Sequence, residues 1–222
     1  MSSGEPMVEI TTLSELTIDG KLSLGPSASS KDLFLYSTDE LKAWFHAQRA
    51  ASDAIMVGAN TVRTDDPELT VRYVEGRNPL RVIPSSDGHL PPDCNILKDG
   101  VPTLVAVSQR ALPETIAALE TLDHIEVTVC GEDRVDLTAL MTILERRGVK
   151  RMIVEGGSEL LSSLFEAELV SRIIIKHIPV IAGHPDAPTY LNGTTMGLSR
   201  WRLEDWFLKG GIGVSIYRPA DS

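Results

Sequence analysis

A carboxylate and two glycines stand where an apolar run gives way to a helical pattern, in the segment MIVEGGSELLSSLF, residues 152–165. Gly156 and Gly157 would let the backbone approach a ligand closely, and the start of the next helix offers free N–H groups and positive dipole density. This arrangement suits a pyrophosphate. It is neither a G-x-G-x-x-G fingerprint nor a P-loop, so a plain strand-to-helix turn with Ser158 as N-cap is the alternative.

The carboxylate of this segment, Glu155, follows an apolar run and would lie at the end of a buried strand. A charged group in such a position usually has a partner or a function. It could bind amino or hydroxyl groups of a substrate, or take part in proton transfer. An ion pair with Arg151 or Arg172 explains it equally well.

A second group of polar side chains follows the apolar residues 53–58. Amide and hydroxyl groups there could donate hydrogen bonds to a ligand, carboxylates could accept them, and guanidinium groups could hold a phosphate. The residues concerned are Asn60, Thr61, Arg63, Asp65, Asp66 and Arg72. Taken one by one, they are more simply explained as helix caps and solvated arginines. His46 and Arg49, three apart on a predicted helix, are likewise most simply a solvated helix face.

The elements that must position these residues alternate between strands and helices. Apolar or alternating runs predict strands over 7–18, 53–58, 80–83, 102–108, 125–131, 151–157, 170–183 and 213–219. Apolar residues at helical spacing predict a helix that starts after Thr38 and others over 112–122, 136–147 and 158–167. This alternation predicts an α/β fold with a mainly parallel sheet covered on both faces. The last two predicted strands have no helix between them and predict an antiparallel end.

In a sheet of this kind, ligands bind beyond the carboxyl ends of the strands. The predicted strand ends lie at 57–61, 83–86, 107–110, 129–134 and 154–158. All five contain Gly or Ser, whose backbone N–H groups could face an anion. The sequence therefore places a candidate site along this edge of the sheet.

The composition limits the classes of protein to be considered. No repeat or linker divides the chain, so we predict a single domain over residues 1–222. The formal charge of −10 argues against a nucleic-acid surface. Without a signal-peptide pattern or a long apolar run, no membrane association is expected. Cys94 and Cys130 lie too far apart for a disulfide framework or a cysteine-rich metal site, which is typical of the reducing cytoplasm.

Taken together, the residues resemble the reductase domain of riboflavin biosynthesis, a pyrimidine reductase that shares its fold with dihydrofolate reductase. The matching segments cover most of the chain: LTIDGKL (16–22), HAQRAASDAIMVGANTVRTDDPELTVR (46–72), NPLRVI (78–83), VEGGSELLSSLFEAELV (154–170) and PVIAG (179–183). The resemblance implies a dihydrofolate-reductase-like three-layer sandwich, a homodimer, and no metal. It also implies NADPH as cofactor and reduction of a ribosylamino-pyrimidine 5′-phosphate to its ribitylamino form.

The zinc-deaminase patterns H-x-E and P-C-x-x-C of the long bacterial relatives are absent from the sequence. This resembles the stand-alone arrangement, whose substrate is 2,5-diamino-6-ribosylamino-4(3H)-pyrimidinone 5′-phosphate. Two alternatives are a dihydrofolate-reductase-like enzyme that reduces another imine or a pterin, and a non-catalytic nucleotide-binding relative.

The resemblance also implies roles for single residues. Those matching cofactor-binding positions are Thr61, Asp65, Ser86, Gly156, Gly157, Ser158, Glu159, Leu160, Leu161, Ser162 and Ser163. Those matching substrate-binding positions are Arg49, Leu69, Arg72 and Glu155. The proton needed for reduction would come from Glu155, Asp19 or an ordered water, and the NADPH 2′-phosphate would meet Arg110 or Arg134. The chain departs from many relatives in having Leu13, where they carry Asn or Lys, and Ser85-Ser86 after the third strand, where they carry an aspartate.

Overall fold

The computed structural model describes residues 8–192 and 196–220. Within them, nine strands run in chain order as β1 (Glu9–Thr17), β2 (Ala54–Met56), β3 (Leu80–Pro84), β4 (Thr103–Val107), β5 (Ile125–Val129), β6 (Arg151–Val154), β7 (Arg172–Ile178), β8 (Trp201–Lys209) and β9 (Ile212–Pro219). The helices are α1 (Lys31–Phe34), α2 (Asp39–Ala50), α3 (Ala59–Asp65), α4 (Asn95–Lys98), α5 (Pro113–Glu120), α6 (Leu137–Arg146) and α7 (Ser158–Glu166).

The strands form one sheet in the order β5-β4-β3-β2-β6-β1-β7-β9-β8. All pairs from β5 to β7 are parallel, whereas β9 pairs antiparallel with both β7 and β8. The predicted mainly parallel sheet with an antiparallel end is therefore confirmed. The parallel connections bring the carboxyl ends of β2, β3, β4, β5 and β6 to one edge.

Helices cover both faces of the sheet, because successive side chains of a strand point to opposite sides. Ala54 and Met56 pack in a core with side chains of α6 and α7. Ile55 packs on the other face in a core that contains Leu41 and Phe45 of α2. These two apolar layers, with the sheet between them, give the three-layer arrangement.

Several predicted boundaries were wrong for identifiable reasons. The strand predicted over 170–183 ends at Ile178, since Pro179 has no N–H to donate to a neighbouring strand. Residues 59–65, which were not among the predicted helices, form α3. Strand β8 was not predicted at all, because most of its side chains are exposed at the sheet edge and carry no alternating apolar signal. Gly157, not Ser158, is the N-cap of α7.

The buried guanidinium of Arg81 in β3 generates a stability prediction. Its side chain is 0% exposed and pairs through two nitrogens with Asp99, which follows α4. Asp99→Ala would leave a buried charge without its partner, so we expect a loss of about 3 kcal/mol in the free energy of unfolding. Urea denaturation measures it.

The matched control for Asp99→Ala is Glu126→Ala, which removes the carboxylate from the more exposed pair with Arg147. Exposed pairs contribute little, so its loss should stay below about 1 kcal/mol. Equal losses in the two variants would show that burial of Arg81 does not set the cost.

Candidate active site

A cleft of about 760 Å³ lies along the edge where the parallel strands end. Its volume is typical of small-molecule sites. The walls come from α2, α3 and the first turn of α7, together with the residues that follow β2, β3, β4, β5 and β6; the floor includes side chains of β1 and β7. This is the position that the parallel topology predicts for a ligand.

The centre of the cleft holds a buried ion pair between Arg49 of α2 and Glu155, which follows β6. Arg49 Nε and Nη2 donate to the two Glu155 oxygens at 2.6 Å each, and Nη1 donates to the Thr70 carbonyl at 2.8 Å. The two side chains are only 8% and 9% exposed. Glu155 does pair with an arginine, but its partner is Arg49 rather than Arg151 or Arg172.

His46, one turn before Arg49, also lines the cleft and is fully buried. Taken alone, the two residues were most simply a solvated helix face, whereas the resemblance placed Arg49 at the substrate. The interpretation as a solvated face is wrong, because α2 turns that face toward the cleft. Burial, reinforced by the nearby cations Arg49, Arg72 and Lys176, lowers the His46 pKa to about 3. The ring is therefore neutral at physiological pH.

The tautomer of His46 follows from the hydrogen bond that its Nδ1 accepts. Nδ1 accepts a hydrogen bond from the Arg72 backbone N–H at 3.1 Å, so the ring proton lies on Nε2. Among the described residues, Nε2 is buried and has no hydrogen-bond partner. A buried N–H without a hydrogen-bond partner destabilises a protein core. Because His46 lines the cleft, its Nε2–H is available to a ligand.

Lys176 of β7 brings a second buried cation to the floor of the cleft. Its side chain is 1% exposed, and Nζ donates to Glu15 Oε1 at 2.6 Å. The two residues face each other in the register of β1 and β7. Nζ also lies 3.9 Å from the centroid of the Phe45 ring, a cation–π contact.

The start of α7 forms a cradle next to α3. Gly156 and Gly157 have φ of 118° and 85°, a backbone region that favours glycine. A Cβ at Gly157 would lie 2.9 Å from Thr61 Oγ1, so only glycine leaves this space open. The N-cap position of α7 has no side-chain hydrogen bond, which leaves its first N–H groups for other partners.

Beyond this cradle, the cleft continues to the ends of β4 and β5. Arg110 and Arg134 line it there, near Ser86. Neither guanidinium has a hydrogen-bond or ion-pair partner within the described part of the chain. Ser86 Oγ accepts from the Val135 N–H at 3.3 Å, which ties the end of β3 to the loop after β5.

Comparison with known proteins identifies the family to which the chain belongs. The family described as the RibD C-terminal domain matches residues 9–210. The chain belongs to the RibD C-terminal domain family. A 2,5-diamino-6-ribosylamino-4(3H)-pyrimidinone 5′-phosphate reductase of Aquifex aeolicus is 39% identical over 90% of this chain and 92% of its own length. The reductase of the same name from Archaeoglobus fulgidus is 41% identical over 85% of this chain and 87% of its own.

The crystal structure of a pyrimidine reductase-like protein from Corynebacterium diphtheriae superimposes with a TM-score of 0.80 at 20% identity, covering 97% of this chain and 93% of that one. The likeness confirms the fold. The part of the chain described by the structure contains no helix long and apolar enough to span a membrane, and no cluster of three or more potential metal-ligating His, Cys, Asp or Glu side chains.

In this RibD C-terminal domain, most of the expected site residues come together in the cleft. Those that line it are Arg49, Thr61, Asp65, Leu69, Arg72, Ser86, Glu155, Gly156, Gly157, Ser158, Glu159, Leu160 and Ser163. Leu161 and Ser162 do not, because they lie on the buried face of α7, where Ser162 bonds to the Asn192 backbone. Asp19 is exposed outside the cleft, where its carboxylate accepts from the Ala182 and Gly183 N–H groups.

Two of the expected substrate residues lie on the loop between α3 and β3. Leu69 is buried and adopts φ of 53°, a conformation that costs about 1–3 kcal/mol for a non-glycine residue and persists where surrounding structure enforces it. The Arg72 side chain is half exposed and pairs with Glu68 at 2.5 Å. Its position keeps the guanidinium at the mouth of the cleft.

The sequence reasoning missed Glu15, Lys176 and Ser14, which also line the cleft. The buried Ser14 hydroxyl has no hydrogen-bond partner among the described residues. A signal was present: Lys176 interrupts the apolar run RIIIKHI. A lysine in a buried strand needs a partner or a function, and the pairing of β1 with β7 supplies both the partner and the position.

Neutral His46 predicts an acid-sensitive stability. Its pKa is lowered to about 3 from an ordinary 6.5, so the unfolded chain takes up the proton first as pH falls. The stability it contributes is complete above pH 6.5 and is lost between pH 6.5 and about 3. Urea denaturation at about pH 7 and about pH 4.5 measures this loss. Between the two, the free energy of unfolding should fall by about 2 kcal/mol more in the wild type than in His46→Gln.

The control is His89→Gln, because the His89 side chain is largely exposed. It should show the same acid loss as the wild type. If His46→Gln also keeps the full loss, the buried imidazole is not the group responsible.

Proposed function

We propose that this RibD C-terminal domain catalyses the NADPH-dependent reduction of 2,5-diamino-6-ribosylamino-4(3H)-pyrimidinone 5′-phosphate to its ribitylamino form. The observation that carries the proposal is the 39% identity, over 90% of the chain, to a reductase of this name. The cleft supports it, because residues matching that family's cofactor and substrate positions line one continuous space.

The cradle at Gly157 and Thr61 fits a dinucleotide. The space that a Cβ would fill, together with the free start of α7, favours the approach of a diphosphate to backbone N–H groups. Arg110 and Arg134, without partners among the described residues, favour a 2′-phosphate and hence NADPH over NADH. When bound, the reduced nicotinamide supplies the hydride.

The charge distribution also favours phosphorylated ligands. The cleft is lined by seven basic side chains, Lys31, Arg49, Arg63, Arg72, Arg110, Arg134 and Lys176. It is lined by seven acidic ones, Glu15, Asp65, Glu68, Asp87, Asp133, Glu155 and Glu159. The net charge of −10 therefore lies outside it, and the cleft admits anions that the rest of the surface repels.

The substrate end is formed by α2 and the loop after α3. The half-exposed guanidinium of Arg72 would hold the 5′-phosphate bidentately. Arg49 is held by Glu155 and Thr70 and keeps further N–H groups for the ligand. Glu155 orients Arg49 and has lone pairs left to accept from substrate amino or hydroxyl groups.

With these groups the protein orients the sugar rather than attacking it. The ring-opened sugar presents a C1′=N bond for reduction, and fixed charges on either side hold it in one position. A pterin has no phosphate for Arg72, which disfavours the dihydrofolate-reductase-like alternative. A non-catalytic relative would bind the cofactor without turnover. The single domain, the homodimer and the cytoplasmic location stay predictions.

The direct test follows NADPH absorbance with the diamino and the deaminated pyrimidine phosphates offered separately. We expect oxidation with the diamino compound and a clearly lower kcat/KM with the other. No oxidation with either would defeat the reductase function, and a preference for the deaminated compound would contradict the proposed substrate.

Arg72→Ala tests whether the substrate binds at the end of the cleft near Arg72 and NADPH binds at the other end. Losing a charge-assisted contact of about 1.5–3 kcal/mol should raise the substrate KM by about 10- to 100-fold. The KM for NADPH should change little. Steady-state kinetics with each ligand varied in turn gives both values.

Arg77→Ala is the matched control, since Arg77 is an exposed arginine of the same loop that pairs with Asp53 outside the cleft. It should leave both KM values unchanged. A loss of NADPH affinity in Arg72→Ala would mean that the two ends are assigned the wrong way round.

A further inference from the structure

Reduction of the sugar consumes a proton as well as a hydride. When a hydride with its electron pair adds to C1′, the π electrons of the C1′=N bond move to nitrogen, and nitrogen must take up a proton. The source of that proton is a group of the protein or a water molecule. A protein donor must reach the cleft and must carry a proton to give.

Three groups considered for this role do not fit it. Both Glu155 oxygens accept hydrogen bonds from Arg49, so they bind as a carboxylate with no proton to give. Asp19 lies outside the cleft, and hydrogen bonds, first from the Thr17 hydroxyl and then from backbone N–H groups, lower its pKa to about 2. His46 is neutral, and a neutral imidazole N–H is a poor acid.

The ammonium group of Lys176 has the geometry that the others lack. It lines the same cleft as Glu155 and is held in place by Glu15 at 2.6 Å and by the Phe45 ring. An ammonium has three N–H groups, and Glu15 is its only hydrogen-bond partner among the described residues. At least one N–H is therefore free to point at a ligand.

Glu15 connects this ammonium with the surroundings. Its side chain is 14% exposed, whereas that of Lys176 is 1% exposed. The Ser37 hydroxyl donates to the same Glu15 oxygen at 3.1 Å and fixes the carboxylate. A proton can thus reach Lys176 from solvent by way of Glu15 without opening the core.

We propose that Lys176 Nζ donates the proton that the substrate nitrogen takes up as C1′ is reduced. One N–H bond of the ammonium breaks, one N–H bond forms on the substrate, and the resulting neutral amine regains a proton from water through Glu15. This role rests on the reductase function proposed above.

Lys176→Arg separates proton donation from a structural role. Arginine keeps the charge and the ion pair with Glu15, but its guanidinium does not release a proton. We expect kcat to fall by about 100-fold or more. The dissociation constant of the substrate, measured by calorimetry without cofactor, should stay within about threefold. Lys42→Arg, at a lysine over the Phe34 ring but outside the cleft, should leave both unchanged.

Lys176→Ala adds a rescue experiment. Methylammonium chloride should restore part of the lost rate in this variant, because it fits the vacated space and carries a proton. If the unpaired Glu15 prevents folding of Lys176→Ala, the kcat of Lys176→Arg, which keeps the ion pair with Glu15, decides the proposal.

The outcomes distinguish this proposal from the reductase function itself. A wild type that never oxidises NADPH with the substrate defeats the function. A wild type that turns over, while Lys176→Arg keeps kcat within about threefold, defeats only the proton donor. Two results together would make Lys176 a binding group instead of the proton donor. These are a loss of substrate affinity in both Lys176→Arg and Lys176→Ala, and no rescue of Lys176→Ala by methylammonium.

Discussion

The ion pair between Arg49 and Glu155 is the contact on which the site depends. It joins α2 to the end of β6 across 106 positions of sequence, and both side chains are almost fully buried. Its third hydrogen bond ties in the loop at Thr70. Removing either partner would leave a buried charge unpaired, at a cost of about 3–5 kcal/mol. The pair therefore fixes how far the helix wall of the cleft stands from the sheet edge.

Phe45 extends this constraint to the floor of the cleft. Its ring lies 4.7 Å from the Arg49 guanidinium carbon and 3.9 Å from Lys176 Nζ, so one aromatic side chain positions two cations. Each cation also has a carboxylate, and neither pair adds net charge. Such a floor orients a polar ligand strongly, because fixed dipoles and charges in a water-poor space need no rearrangement. The guanidinium groups of Arg110 and Arg134 line the far end of the cleft.

The sequence predicted much of the fold and part of the site. Parallel strands were recognisable because both faces of the sheet are covered and their runs are fully apolar. Glu155 stood out beside two glycines. Its partner could not be found, since local reasoning favours arginines near in sequence and Arg49 becomes a neighbour only through the β2–β6 pairing. Helical spacing likewise gives the interval between His46 and Arg49 but not the direction in which that face points.

The chain carries Leu13 where many relatives are expected to carry Asn or Lys, and a polar side chain lies instead on the adjacent strand. Leu13 and Glu15 lie two apart on β1 and both line the cleft, and Glu15 stands opposite Lys176 on β7. An apolar side chain at position 13 brings no polar group to that part of the cleft. The ammonium of Lys176, on the neighbouring strand, brings a polar group to the same cleft. A lysine on β7 needs a partner to remain buried, and Glu15 on β1 is that partner.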